Sequence, residues 1–145
     1  MTHEIALQSG IHGALIQLLL GNKLIVSLLK GPHVFTHRPD EPGLHISFVS
    51  FQSRSLLGEG GRGVVELFLE LGVSTEERGR ALATALVQAC EGCLTAARPQ
   101  VSGWAVKPLN VVFWSVGRSQ DGTFGGSIRI KTTAMQQQSV EVAAS

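Results

Sequence analysis

Through residues 64 to 72 the chain alternates. Val65, Leu67, Leu69 and Leu71 fall on one side of an extended segment and Glu66, Phe68 and Glu70 on the other, the period-two signature of a half-buried strand that ends at Gly72. The period changes at Val73-Ser74. Ser74-Thr75-Glu76-Glu77 reads as a capping box, in which the Ser74 hydroxyl and the Glu77 carboxylate each take up an orphaned backbone N–H. A helix is therefore expected from about residue 75 to residue 97, stopping before Pro99. On its wheel Arg80, Thr84, Gln88, Glu91 and Thr95 gather within roughly 80°, while Leu82, Ala85, Leu86, Ala89, Cys90, Cys93 and Leu94 take most of the rest. So narrow a polar stripe suits a helix covered twice, by its own sheet and by a neighbour at Ala85 and Ala89.

An earlier helix is expected over residues 4 to 20, where Leu7, Ile11, Ala14 and Leu18 form a stripe at helical spacing. Ile5, Ile16, Leu19 and Leu20 lie off that stripe, and half of them are expected in the core. Gly21-Asn22 reads as a helix stop, and residues 23 to 29 as one further short helical turn. Gly31-Pro32, Pro39 and Pro42-Gly43 then break the chain into extended pieces, with residues 33 to 37 a short edge strand and residues 44 to 51 a longer one. Residues 52 to 63, rich in Ser, Arg and Gly, read as a long polar loop carrying Arg54, Glu59 and Arg62. Residues 109 to 117 and 124 to 133 form a hairpin about Asp121-Gly122, with Arg129 and Lys131 on the exposed side of its second strand.

The sum is an α+β fold, with a mainly antiparallel sheet of four to five strands and two principal helices packed on it. One domain is expected over residues 1–135, followed by a polar tail at 136–145.

Charge changes this picture little. Twelve basic residues against 11 acidic give a net charge of +1, too weak a field to argue for nucleic-acid binding by counter-ion release. Two cysteines, no basic-then-apolar leader and no uninterrupted apolar run of about 18 residues point to a protein folded in a reducing cytoplasm without a membrane span. The nearest candidate span, residues 11 to 29, is broken by His12, Gln17, Asn22 and Lys23. Apolar residues at 43% against 16% charged imply some surface that meets a partner, unless the alanines and glycines merely inflate the count.

Candidate chemistry is sparse. Cys90 and Cys93 form a C-x-x-C, but near the negative end of the expected helix, where a thiolate is disfavoured. Zinc would need two further ligands, for which only His33 and His37 have suitable spacing, so core thiols are the simpler reading. Gly58, Gly60 and Gly63 satisfy G-x-G-x-x-G in the wrong context, since a strand follows where a dinucleotide site needs a helix. His12 reads as a polar helix residue and His45 as an outward strand residue, and no nucleophile is set beside a base. No catalysis and no cofactor are expected.

Four stretches carry a resemblance. They are Leu7-Gln-Ser-Gly-Ile-His-Gly-Ala-Leu15; Gly31-Pro-His-Val-Phe35 with Pro39 ahead of Leu44-His-Ile-Ser-Phe48; the strand from Val65 to Gly72 leading into the helix; and the closing hairpin with Asp121-Gly122 and Ile128-Arg-Ile130. Together the order resembles the small tail-terminator or tail-completion proteins of long-tailed phages and gene transfer agents. The resemblance implies a non-catalytic subunit, made in the bacterial cytoplasm and placed in the tail of a virion or phage-like particle. Six copies would form a ring on the head-proximal end of the tail tube, ending polymerisation. Its partners would be further copies, the tail tube protein and the head–tail connector or stopper, with DNA only passing through the lumen. On that reading Arg54, Glu59, Arg62, Ala85, Ala89, Arg129 and Lys131 are the candidate interface residues. The alternative is a small cytosolic α+β binding or adaptor module, dimeric and without catalysis.

Overall fold

The computed structural model describes residues 2–41, 43–57 and 63–137. Helix α1 (Thr2–Leu20) buries Leu7, Ile11, Leu15 and Leu19. The buried stripe thus follows i, i+4 steps and turns away from Ala14 and Leu18, which are only partly covered. Of the off-stripe residues, Leu19 is core, Ile16 and Leu20 pack against it, and Ile5 is exposed. Gly21 and Asn22 stop the helix, and the Asn22 side chain accepts a hydrogen bond from the Ile25 amide, capping α2 (Lys23–Leu29). The two helices bend 84° at this break. No single described helix is long and apolar enough to cross a membrane.

Six strands follow: β1 (Val34–Phe35), β2 (His45–Leu57), β3 (Gly63–Ser74), β4 (Trp104–Val106), β5 (Asn110–Arg118) and β6 (Phe124–Gln136), with α3 (Ala81–Leu94) between β3 and β4. The order is β1-β2-β3-β6-β4, and β5 also pairs with β6. Because β1 runs parallel to β2 while the other pairs are antiparallel, the sheet is mixed. The expected mainly antiparallel sheet of four to five strands with two helices is thus corrected, among the described residues, to a mixed sheet of six strands with three helices. The added strand, β4, is only three residues long and carries no alternation that a short window can register.

Residues 52–57 belong to β2 instead of a loop, because Arg54 pairs with Glu66 and Ser55 with Val65 in the ladder to β3. The alternation in β3 holds: Val65, Leu67, Leu69, Leu71 and Val73 are buried. Their partners across β6, Ala134, Thr132, Ile130 and Ile128, share that face and complete the core beneath the helices.

The capping box does not form. Ser74 is still in the ladder, between His45 and Gly125. Buried Thr75 donates to the Phe124 carbonyl at 2.6 Å and accepts from the Glu77 amide at 3.2 Å, and the Phe124 amide donates to the Glu77 carbonyl. Residues 75–80 become a strap bound to the start of β6, and α3 begins at Ala81. At the other end, Leu109 exchanges backbone hydrogen bonds with Ala96 and Ala97, which ends α3 at Leu94 instead of residue 97.

Candidate assembly surfaces

One face of the sheet carries α3 over β3, β5 and β6 and, beside it, α1, whose His12 stacks on Phe48 of β2, with α2 against both helices, while the other face carries no described helix. On this open face the strand registers bring Arg54, Glu66, Glu70, Arg129 and Lys131 together. Lys131 lies 3.0 Å from Glu66, whose other carboxylate oxygen is paired with Arg54, and Arg129 lies 3.6 Å from Glu70. Two phenyl rings sit under the cations: Arg129 lies 5.4 Å above Phe113 and Lys131 5.7 Å above Phe68. Glu66 is almost covered by these neighbours. Hydrogen bonding from Lys131, and then from Arg54, holds its carboxyl below the usual range against the opposing pull of burial.

The structure therefore brings Arg54, Arg129 and Lys131 onto one face. What the sequence reading missed is that β3 supplies Glu66 and Glu70 beside them, leaving three cations against two carboxylates. The period-two alternation that places Leu67 inward places both acids on the side of Lys131, so the signal was present. Ala85 and Ala89 are partly covered. Within the chain α1 and α2 pack against α3, while Ala81, Gln88 and Gly92, opposite its buried stripe of Ala83, Leu86, Val87, Cys90 and Leu94, are exposed. Glu59 and Arg62 lie outside the described residues, as do Gly58 and Gly60.

The thiols are core groups. Burial pushes Cys90 up to about 12, and burial likewise raises Cys93, which donates to the Leu18 carbonyl at 3.5 Å. Among the described residues no three His, Cys, Asp or Glu side chains are grouped to hold a metal ion. His45 is buried, contrary to its expected outward place, since β1 and the Phe35 ring cover it. Its Nδ1 has no partner, and burial, then the charge of Arg38, lowers its pKa. His12 is half-buried, stacked 4.1 Å from Phe48, and burial lowers it too. A cleft of about 500 Å³ beside His45 is lined by Lys30, His33, Glu41, Glu76 and Glu77, with no nucleophile and base set together.

The last surface is apolar. Val112, Phe113 and Trp114, consecutive in β5, are 53%, 50% and 36% exposed.

The chain matches a known family: the family model described as Tail completion protein gp17 covers residues 13–134. The chain belongs to this family. Its role is accordingly structural, in a phage-type tail. Among solved structures, a chain from the virion of a native gene transfer agent particle is similar in fold, with a TM-score of 0.71 and 17% identity. The likeness covers 90% of this tail completion chain and 97% of that one. No curated protein gives a match.

Proposed function

We propose that this tail completion protein is a non-catalytic subunit of a six-membered ring. The ring closes the head-proximal end of a tail tube, ends its polymerisation and joins it to the head connector. The observation that carries the reading, together with family membership, is the open sheet face with its paired charges. A ring wall needs one side toward the passage and one side packed, and the sheet has its helix layer on one side only. DNA in transit favours a passage that does not hold it, because every uncompensated Lys or Arg that neutralises a phosphate adds salt-dependent affinity. Arg54, Arg129 and Lys131, largely balanced by Glu66 and Glu70, fit such a surface. The charges of Glu59 and Arg62, which lie outside the described residues, would serve contact with tube or connector. A place in the virion, as for the gene transfer agent chain, follows from the same role.

Electron microscopy of the purified chain, alone and mixed with its tail tube protein, tests this. Rings, or tubes capped at one end and arrested in length, are the expected result. A compact monomer or dimer that leaves tube growth unchanged would return the reading to the adaptor alternative. Arg129→Gln with Lys131→Gln, which removes two cations without introducing repulsion, is expected to leave capping intact and to alter DNA delivery.

A further inference from the structure

Strand β5 pairs with β6 along one side, and no described backbone group takes up the N–H and C=O groups on its other side. That bare edge coincides with the apolar run. Phe113 points to the open sheet face with its partner Arg129, Trp114 to the helix side with its partner Ile128, and Val112 is the extra residue of the irregularity between them. An unpaired strand edge bearing three large apolar side chains is a template for another strand, and a protein that left it uncovered would aggregate.

A second bare edge lies at the far side of the same sheet. β1 covers β2 only at Ile46 and Ser47, so residues 50–57 are paired on one side, by β3. On the helix side this stretch presents Ser53 and Ser55, both exposed and small. Strand directions make the two edges compatible. Each neighbouring pair in β2-β3-β6-β5 is antiparallel, so β5 runs opposite to β2. Copies related by rotation about a ring axis keep the same strand sense relative to that axis. The β5 of one copy therefore meets the β2 of the next in the antiparallel sense, the better-bonded of the two arrangements. An isologous β5–β5 contact would instead close as a dimer and leave both β2 edges bare.

We propose that the β5 edge of one copy pairs antiparallel with residues 50–57 of β2 in the next, Trp114 lying over Ser53 and Ser55, so that the sheets join into one wall around the ring. This rests on the ring reading above and adds its seam.

Cysteine pairs across the seam test it. In the full-length chain, assembled with tail tube protein, Val112→Cys is combined in turn with Ser53→Cys and Ser55→Cys, and mild oxidation or a short bis-maleimide is applied. The unsubstituted chain, whose Cys90 and Cys93 are the background, is the control. A ladder of covalent multimers in a double variant, absent from each single variant, is expected. Dimers from Val112→Cys alone would overturn the proposal in favour of a β5–β5 contact. Capped tubes seen by microscopy without any ladder would overturn it too, while leaving the ring reading standing. Independently, Val112→Lys places a charge on an already exposed edge and is expected to abolish rings and caps with an unchanged circular dichroism spectrum and melting temperature. Rings that persist in that variant refute the seam. If the unsubstituted chain itself forms no rings and caps no tubes, the ring reading falls and the seam with it.

Discussion

Gly126→Ala probes how tightly β5 and β6 are held against the helix layer. Gly126 lies opposite Val116 in the ladder and beneath Val87 of α3. A Cβ added there would stand 2.5 Å from Val87 Cγ2 and 2.8 Å from the Ser115 carbonyl oxygen, against ordinary carbon contacts of about 3.5–4.0 Å. Something must move by about an ångström. Val87 is fully buried and β-branched in a helix, so it has one strongly preferred rotamer and no room to leave it. Overpacking of this kind costs about 1–3 kcal/mol, which for a chain of this length lowers the melting temperature by roughly 2–4 °C per kcal/mol. Val87→Ala alone removes two methyl equivalents, at about 0.8 kcal/mol each plus the cavity they leave. In the double variant the new methyl enters the space that Val87 vacates, so the two losses should fall short of their sum by about 0.5–2 kcal/mol. Recovery stays incomplete because the Ser115 oxygen is backbone. Urea unfolding of the four proteins, with unchanged m-values, measures this coupling. A Gly126→Ala protein within about 0.5 kcal/mol of the parent, or strictly additive losses, would refute the packing argument.

Asn22→Ala removes the cap of α2 and is expected to cost about 1 kcal/mol, whereas Asn22→Asp keeps an acceptor for the Ile25 amide and should retain most of it; thermal melts decide. Glu66 has a carboxyl pKa below its unfolded value, so it stabilises the fold above the unfolded pKa, and that contribution is lost as pH falls through the lowered folded value. Glu66→Gln should therefore flatten the acid limb of unfolding free energy against pH, and an unaltered limb would count against the Lys131 and Arg54 pairing. Cys90 behaves in the opposite sense. With its thiol pushed from an ordinary 9.0 to about 12, stability is full below the unfolded pKa and declines as pH rises toward the folded one. Thiol reagents at neutral pH should modify Cys90 only after denaturation, and rapid labelling of the native protein would contradict its enclosure.

The elements with long, regular patterns were legible from residues alone. Val65 to Leu71 gave a strand and its buried face, Asp121-Gly122 gave the hairpin turn, and Gly21-Asn22 gave the helix stop. At that turn Gly122 takes φ 88° and the Asp121 carboxylate accepts from both the amide and the hydroxyl of Thr123. The failures share a cause, namely long-range partners that override local preference. Ser74 and Thr75 satisfy a helix-start pattern, yet Gly125 and Phe124, some fifty residues later, claim them first. Serines and an arginine at 52–57 look like loop until β3 offers them a ladder, and the charge of Arg129 and Lys131 looks unopposed until registers place Glu70 and Glu66 beside them.

The two sulfurs have a consequence for where such a part can serve. The folded chain contains no crosslink for a reductant to cut, Cys90 is sealed from oxidants, and Cys93 is engaged with the Leu18 carbonyl. Its mechanical integrity is thus indifferent to the redox character of the medium, which suits a component put together inside a cell and used outside one.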